Sequence, residues 1–239
     1  MKAKNILLDK RIIFALDVET PEEARFWVEK LEGRIKFFKV GLQLFLGGGF
    51  DIVEWILKRD CEVMLDLKFF DVPQTVASAV KQVDGRGVSF TTVHGNDAIL
   101  RAAAEAKRGV KILAVTVLTS LDRVDLNDLG FQCTPEDLVL SRARRALQVG
   151  CDGVVSSGLE APRLRNELGG NFLVVVPGVR PVENRIDDQK RIVTVRDAFL
   201  NGADYVVIGR PLKQAADPPA LAAEMQQQIQ DALNDRETQ

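Results

Sequence analysis

The chain has 239 residues, 46% of them hydrophobic and 28% charged, and its 32 basic and 34 acidic residues leave a formal net charge of −2. That balance belongs to a folded globular protein and excludes a mainly disordered or fibrous one. It supplies no bulk positive field for a nucleic acid polymer or an anionic membrane surface, and the length suffices to bury a core without covalent staples.

The first apolar run, Ile12 to Leu16, reads as a strand. Thr20 then offers an N-cap to a helix over Pro21 to Leu31, with Pro21 at its first position and Glu22 and Glu23 in its first turn. A second strand is predicted at Ile35 to Val40, followed by a flexible glycine turn, Gly47-Gly48-Gly49, and a helix over Phe50 to Arg59. The third strand, Cys61 to Leu67, precedes a helix at Pro73 to Val83. The fourth, Val88 to Val93, precedes an alanine-rich helix over Asn96 to Lys107. After the fifth, Ile112 to Val117, the polar stretch Thr119 to Gly130 reads as a loop over the mouth of the fold, and a helix runs from Thr134 to about Val149. The sixth strand is Gly153 to Val155, with a helix at Ala161 to Leu168. The seventh is Phe172 to Val176, with a helix at Thr194 to Leu200, and the eighth is Tyr205 to Ile208, with a helix at Pro219 to Leu233. The last residues, Asn234 to Gln239, read as frayed.

The strand runs are continuously apolar, which suits strands buried on both faces in a parallel sheet. Eight of them alternate with helices and no linker intervenes. The α/β class is therefore expected to take the form of a single (β/α)₈ TIM barrel spanning residues 1–239, with an open doubly wound sheet as the competitor. Met1 to Lys10 lacks a signal-peptide run and no apolar stretch nears the roughly 20 residues of a membrane helix, so a cytoplasmic location is expected. Cys61, Cys133 and Cys151 are odd in number and lack metal-ligand spacing, which favours a reducing compartment. The single histidine, His94, excludes a multi-histidine metal site within one chain.

Charges fall at the strand ends, which in a barrel converge on the face where active sites form. Asp17 ends the first strand, Lys39 the second, Asp66 and Lys68 the third, and His94 the fourth, while Thr116 and Thr119 flank the end of the fifth and Arg210 follows the eighth. The densest segment is Asp66-Leu67-Lys68-Phe69-Phe70-Asp71-Val72-Pro73-Gln74-Thr75. Asp66 and Lys68 share a face if the backbone remains extended there. Carboxylates flanking an ammonium favour its charged form, and such a lysine can deliver a proton to a developing carbanion. Lys39 extends the set toward an alternating Lys–Asp–Lys–Asp chain. The same residues also admit a plain ion-pair network closing the barrel end.

Val176-Pro177-Gly178-Val179-Arg180 and Gly209-Arg210 follow the last two strands, where barrels frequently bind phosphate. Glycines there admit backbone N–H groups to a dianion, and arginines add charge-assisted bonds; turn glycines with surface arginines are the alternative. Asp17 suits either sugar hydroxyls or a cap near Thr20. Ser156-Ser157-Gly158 reads as a strand-end turn, Trp27 and Trp55 as packing residues, and Arg142, Arg144 and Arg145 as a solvated helix face.

In this order the segments Phe14-Ala15-Leu16-Asp17, Phe38-Lys39-Val40-Gly41, Asp66-x-Lys68-x-x-Asp71-Val72-Pro73-Gln74-Thr75, Thr116-Val117-Leu118-Thr119-Ser120, Pro177-Gly178-Val179-Arg180-Pro181, Asp188-Gln189-x-Arg191 and Val207-Ile208-Gly209-Arg210-Pro211 resemble the orotidine 5'-phosphate decarboxylase family over essentially the whole chain. The resemblance implies conversion of orotidine 5'-monophosphate to uridine 5'-monophosphate and carbon dioxide in pyrimidine biosynthesis, with no metal or organic cofactor. It implies a (β/α)₈ barrel working as a homodimer with shared active sites. Lys68 would donate the proton to C6 of the pyrimidine and Asp66 would sit near the departing carboxylate. Lys39 would hold the charged network and contact the ribose, and Asp17 would bind a ribose hydroxyl. Asp71 and Thr75 would reach into the partner's site. Thr119 would mark the pyrimidine-reading loop, and Arg180, Gln189, Arg210 and Gly209 would hold the phosphate, with His94 near the ribose or the interface. Val72 and Gln74 replace the commoner isoleucine and asparagine with little change of character. The competing readings are a magnesium-dependent 3-keto-L-gulonate 6-phosphate decarboxylase, against which Lys39 stands where an acidic residue is typical, and a non-catalytic nucleotide-binding barrel.

Overall fold

The computed structural model of the chain describes residues 4–180 and 193–238. Numbered in chain order, the barrel strands are β1 (Ile12–Ala15), β2 (Phe37–Gly41), β3 (Glu62–Phe69), β4 (Phe90–Val93), β5 (Lys111–Val115), β6 (Gly153–Val155), β7 (Leu173–Val176) and β10 (Tyr205–Ile208). They pair in parallel all the way round, with β1 meeting β10 through Ile12–Val206, Ile13–Val207 and Phe14–Ile208 and so closing the sheet. The closed barrel settles the competition with an open sheet in favour of the expected architecture. Between β7 and β10 a small parallel pair, β8 (Val179–Arg180) with β9 (Val193–Thr194), stands on its own.

Alternation along each strand explains the continuous apolar runs. Ile13, Phe37, Met64, Phe90, Leu113, Val175, Tyr205 and Val207 fill the barrel interior. Their neighbours Ile12, Phe14, Phe38, Val63, Val154 and Val206 pack outward under the helices. Phe37, Phe90 and Tyr205 stack with ring centroids 5.0–5.7 Å apart and plug the interior. At the strand N-terminal end, buried Asp204 accepts from Lys4 at 2.8 Å, Arg165 at 2.7 Å and the Val174 amide at 3.0 Å, so the charges there are paired.

The helices are α1 (Pro21–Leu31), α2 (Leu42–Leu57), α3 (Pro73–Asp84), α4 (Asp97–Ala106), α5 (Arg123–Asp128), α6 (Pro135–Gln148), α7 (Ala161–Leu168), α8 (Val195–Leu200), α9 (Arg210–Lys213) and α10 (Pro218–Thr238). Thr20, Asn96 and Thr134 cap α1, α4 and α6 with side-chain oxygens, as their positions suggested. One local expectation is extended and two are corrected. The glycine triplet does interrupt the chain before the helix at Phe50, with Gly49 at φ 52°, ψ −144°, a conformation only glycine adopts without strain, but a further helical stretch from Leu42 precedes it within α2. The stretch Thr119 to Gly130 is not wholly irregular, because Asp122 and Asp125 form a capping box that starts α5. Residues beyond Leu233 are not frayed, since α10 runs to Thr238, where Arg236 donates to the Phe199 carbonyl and Asp235 pairs with Arg196.

Candidate active site

The third strand carries the central chemistry through an irregularity. Its register with β4 runs Met64–Phe90 and Leu65–Thr91, then resumes only at Phe69–Val93. Within that shift Lys68 has φ 49°, left-handed for a residue with a side chain. The backbone is therefore not extended at Lys68, as the two-residue spacing had assumed. The bulge nevertheless turns its ammonium back so that Nζ donates to Asp66 Oδ2 at 3.0 Å. Two threonine hydroxyls of β4 stand in for the missing ladder bonds. Thr91 Oγ1 donates to the Leu65 carbonyl at 3.1 Å, and Thr92 Oγ1 accepts from the Lys68 amide and donates to Asp66 Oδ1, both at 2.9 Å.

Lys39 rises from β2 beside this pair. Its Nζ lies 2.9 Å from Asp17 Oδ1 and 3.6 Å from Asp66 Oδ2. The chain thus assembles an alternating Asp17–Lys39–Asp66–Lys68 network. Gly41 makes room for it: a Cβ there would stand 3.2 Å from Lys39 Nζ and 3.6 Å from Asp17 Oδ1. Burial alone would raise the basicity of Asp66, but Lys39 and Lys68, helped by the Lys68 and Thr92 hydrogen bonds, hold its carboxyl below the usual range. Burial opposes the charge on Lys39 as well, and Asp66 and Asp17 overcome it, so this ammonium is held above its ordinary value. Two buried groups remain charged because each is the other's counterion.

The network forms one wall of a cavity of about 540 Å³ at the strand C-terminal end. The same cavity is lined by Thr119, Ser120, Pro177, Gly178, Arg180, Gly209, Arg210 and Lys213. Gly178 has φ 71°, so glycine is required in the turn after β7. Gly209 precedes α9, and a Cβ on it would approach Ala15 Cβ to 3.2 Å, so the β1–β10 seam is tight where Gly209 passes Ala15. The glycine and arginine pairs after the last two long strands therefore open onto the same cavity as the lysine–aspartate network, and Gly209 lies beside the Asp17 member of that network.

Asp71 and Thr75 do not join this cavity. Both are exposed, and Asp71 accepts from its own neighbour, the Val72 amide, at 2.6 Å. Gln189 lies outside the described residues. His94 does not line the cavity, and its Nδ1 stands 3.1 Å from the carbonyl of cavity-lining Val115 and its ring 5.4 Å from that of Phe70. Asp17 bonds Lys39 rather than capping α1, a task Thr20 performs alone. Ser157 accepts from the Leu159 amide at 3.1 Å, in keeping with a strand-end turn. Arg144 and Arg145 are solvated as expected, but Arg142 is not: it is half-buried and donates to the Thr116 carbonyl at 2.6 Å. Two contributors escaped the sequence reading. Lys213 lines the cavity and donates to the Asp17 carbonyl at 2.7 Å, and its spacing of three from Arg210 on one helical turn was the available signal. Thr92 carried no such signal, because a threonine in a buried strand is an ordinary β-former and its neighbour Thr91 looks the same in sequence. Among the described residues no group of three or more His, Cys, Asp or Glu converges as a metal-ligand set.

The family model described as "Orotidine 5'-phosphate decarboxylase / HUMPS family" matches residues 10–225. Among curated relatives, an orotidine 5'-phosphate decarboxylase of Methylococcus capsulatus is 60% identical over 232 residues, covering 96% of each chain. One of Xanthomonas euvesicatoria pv. vesicatoria is 46% identical, covering 94% of this chain and 93% of its own. A crystal structure of orotidine 5'-phosphate decarboxylase from Lactobacillus acidophilus superposes with a TM-score of 0.81 at 32% identity, over 92% of this chain and 99% of that one.

Proposed function

We infer from its membership of the orotidine 5'-phosphate decarboxylase / HUMPS family, to which the chain belongs, that this protein decarboxylates orotidine 5'-monophosphate to uridine 5'-monophosphate. The observation that carries the mechanism is the Asp66–Lys68 pair in the wall of a cavity that the Gly178–Arg180 and Gly209–Arg210 turns also line. The named relatives favour this substrate over the sugar-phosphate alternative.

The residue roles follow from charge and position. Heterolysis of the bond between C6 and the carboxylate leaves an electron pair at C6 as carbon dioxide departs. A site accelerates that step only by stabilising the developing charge more than the substrate. The Lys68 ammonium faces that charge and transfers its proton to C6, and the resulting amine recovers a proton from water. Asp66 holds Lys68 in place and lies beside the leaving carboxylate. Lys39 and Asp17 bind the ribose hydroxyls, and Thr119 reads the pyrimidine edge. Arg180, Arg210, Gln189 and the Gly209 amide take the phosphate, and that remote binding energy orients the ring for reaction.

The working form is a homodimer of one barrel domain per chain. Asp71 and Thr75 are exposed at the rim where β2 and β3 end, and so are Leu46 (84%), Phe70 (67%), Val72 (61%) and Leu42 (55%). A second copy covering that apolar rim receives the two polar residues into its own site. The chemistry needs no metal, and the location is cytoplasmic. No helix among the described residues is long and apolar enough to cross a membrane.

The test is an absorbance assay with orotidine 5'-monophosphate after exhaustive EDTA treatment. Rapid release of uridine 5'-monophosphate is the expected result, and a requirement for added magnesium would overturn metal independence. Lys68→Ala is expected to lower kcat by at least about 10³-fold while the barrel stays folded by circular dichroism. Near-normal turnover in that variant would remove Lys68 from the proton-donor role.

A further inference from the structure

Resting on the decarboxylase reading, we propose that Thr92 is a positioning residue for the reaction: its single hydroxyl locks the backbone of the proton-donating lysine to the carboxylate that holds that lysine's ammonium.

The direction of each bond is fixed by chemistry. The Lys68 amide only donates, so the Thr92 hydroxyl accepts from it at 2.9 Å. The hydroxyl proton is thereby left for Asp66 Oδ1, also at 2.9 Å. With Oδ1 engaged, Oδ2 faces the two ammoniums, Lys68 at 3.0 Å and Lys39 at 3.6 Å. One hydroxyl therefore sets both the rotation of the Asp66 carboxylate and the left-handed turn of the backbone at Lys68.

Thr92 has no solvent exposure and is not among the residues lining the cavity, so it acts on substrate only through Lys68 and Asp66. The adjacent Thr91 is an internal control. It is equally buried and also braces the bulge, but its hydroxyl reaches the Leu65 carbonyl and touches neither the Lys68 amide nor the Asp66 carboxylate. Loss of the Thr92 hydroxyl frees the lysine's backbone and one carboxylate oxygen while the ribose and phosphate contacts are untouched. The chemical step is then impaired and binding is not.

The experiment compares Thr92→Val, Thr92→Ser and Thr91→Val with the wild type for decarboxylation of orotidine 5'-monophosphate, binding of uridine 5'-monophosphate and thermal melting. Thr92→Val is expected to lower kcat by about 10- to 100-fold, with KM and product affinity held within about threefold. Thr92→Ser, which restores the hydroxyl, is expected to recover kcat to within about threefold of the wild type, and Thr91→Val to lower the melting temperature without this selective loss of kcat. An active wild type beside a Thr92→Val variant of unchanged kcat overturns the inference alone. So does a Thr92→Val variant whose product affinity falls in step with kcat, or a Thr92→Ser variant that shows no recovery. A folded wild type that leaves orotidine 5'-monophosphate intact overturns the decarboxylase reading, and this inference with it.

Discussion

His94 is the sole histidine, so the imidazole part of any stability change near neutral pH belongs to it. Burial depresses its basicity below the ordinary imidazole range, the bond to the Val115 carbonyl opposes this, and Arg142 adds to it. Between the folded and unfolded titrations the unfolded chain binds more protons, so stability rises with pH through that window and falls on acidification below about 6.5. Urea unfolding followed from pH 7 to about 5 is expected to show this loss, and His94→Gln to remove that part of the slope. The site residues that were legible in the sequence are those whose charge is unusual at a strand end. Asp17, Lys39, Asp66 and Lys68 stood out because such groups are costly there without partners, and the structure supplies those partners. Asp71 has the same signature but finds no partner side chain in that network, and sequence spacing alone does not distinguish a side chain turned into the cavity from one turned outward. The left-handed conformation of Lys68 was invisible because neither lysine nor its neighbours carry a preference for it.

The sixth strand is the shortest in the barrel and begins with glycine for a steric reason. A Cβ on Gly153 would stand 2.6 Å from Leu173 Cβ and in outright collision with the Leu173 carbonyl oxygen. Gly153→Ala is expected to cost about 1–3 kcal/mol in urea-derived unfolding free energy, and an unchanged midpoint would show that β7 yields more easily than its pairing suggests. All eight barrel strands were legible because burial on both faces leaves an apolar run that no surface helix needs. Helix starts were legible where a threonine or asparagine caps them. The failures share a different cause. The short α5 and the extension of α10 depend on a reciprocal pair of aspartates and on tertiary anchors for Asp235 and Arg236. None of these is a periodic signal, and tertiary contacts override local propensity at element ends.

A shared active site makes a prediction that only the assembled protein tests. If Lys68 of one copy works with Asp71 of the other, Lys68→Ala and Asp71→Ala are each inactive alone. Their heterodimer has one site lacking both groups and one site fully native, so random re-association of equal amounts recovers about a quarter of the wild-type sites. Recovery of nothing from a verified heterodimer would confine each site to a single chain. Closure of the barrel has its own consequence in time. Asp17 and Gly209 face each other across the β1–β10 seam, and a Cβ on Gly209 would lie only 3.7 Å from Asp17 Oδ2, although nearly the whole described sequence separates them. Contacts between such distant segments form late, because the loop-closure entropy must be met before they return any stability. A nascent chain that has emerged only as far as β7 holds Asp17, Lys39, Asp66 and Lys68 but has no β10 against which β1 can pair. It leaves two unpaired strand edges open to other chains, so synthesis is the stage at which this protein is most exposed to aggregation and last to acquire its chemistry.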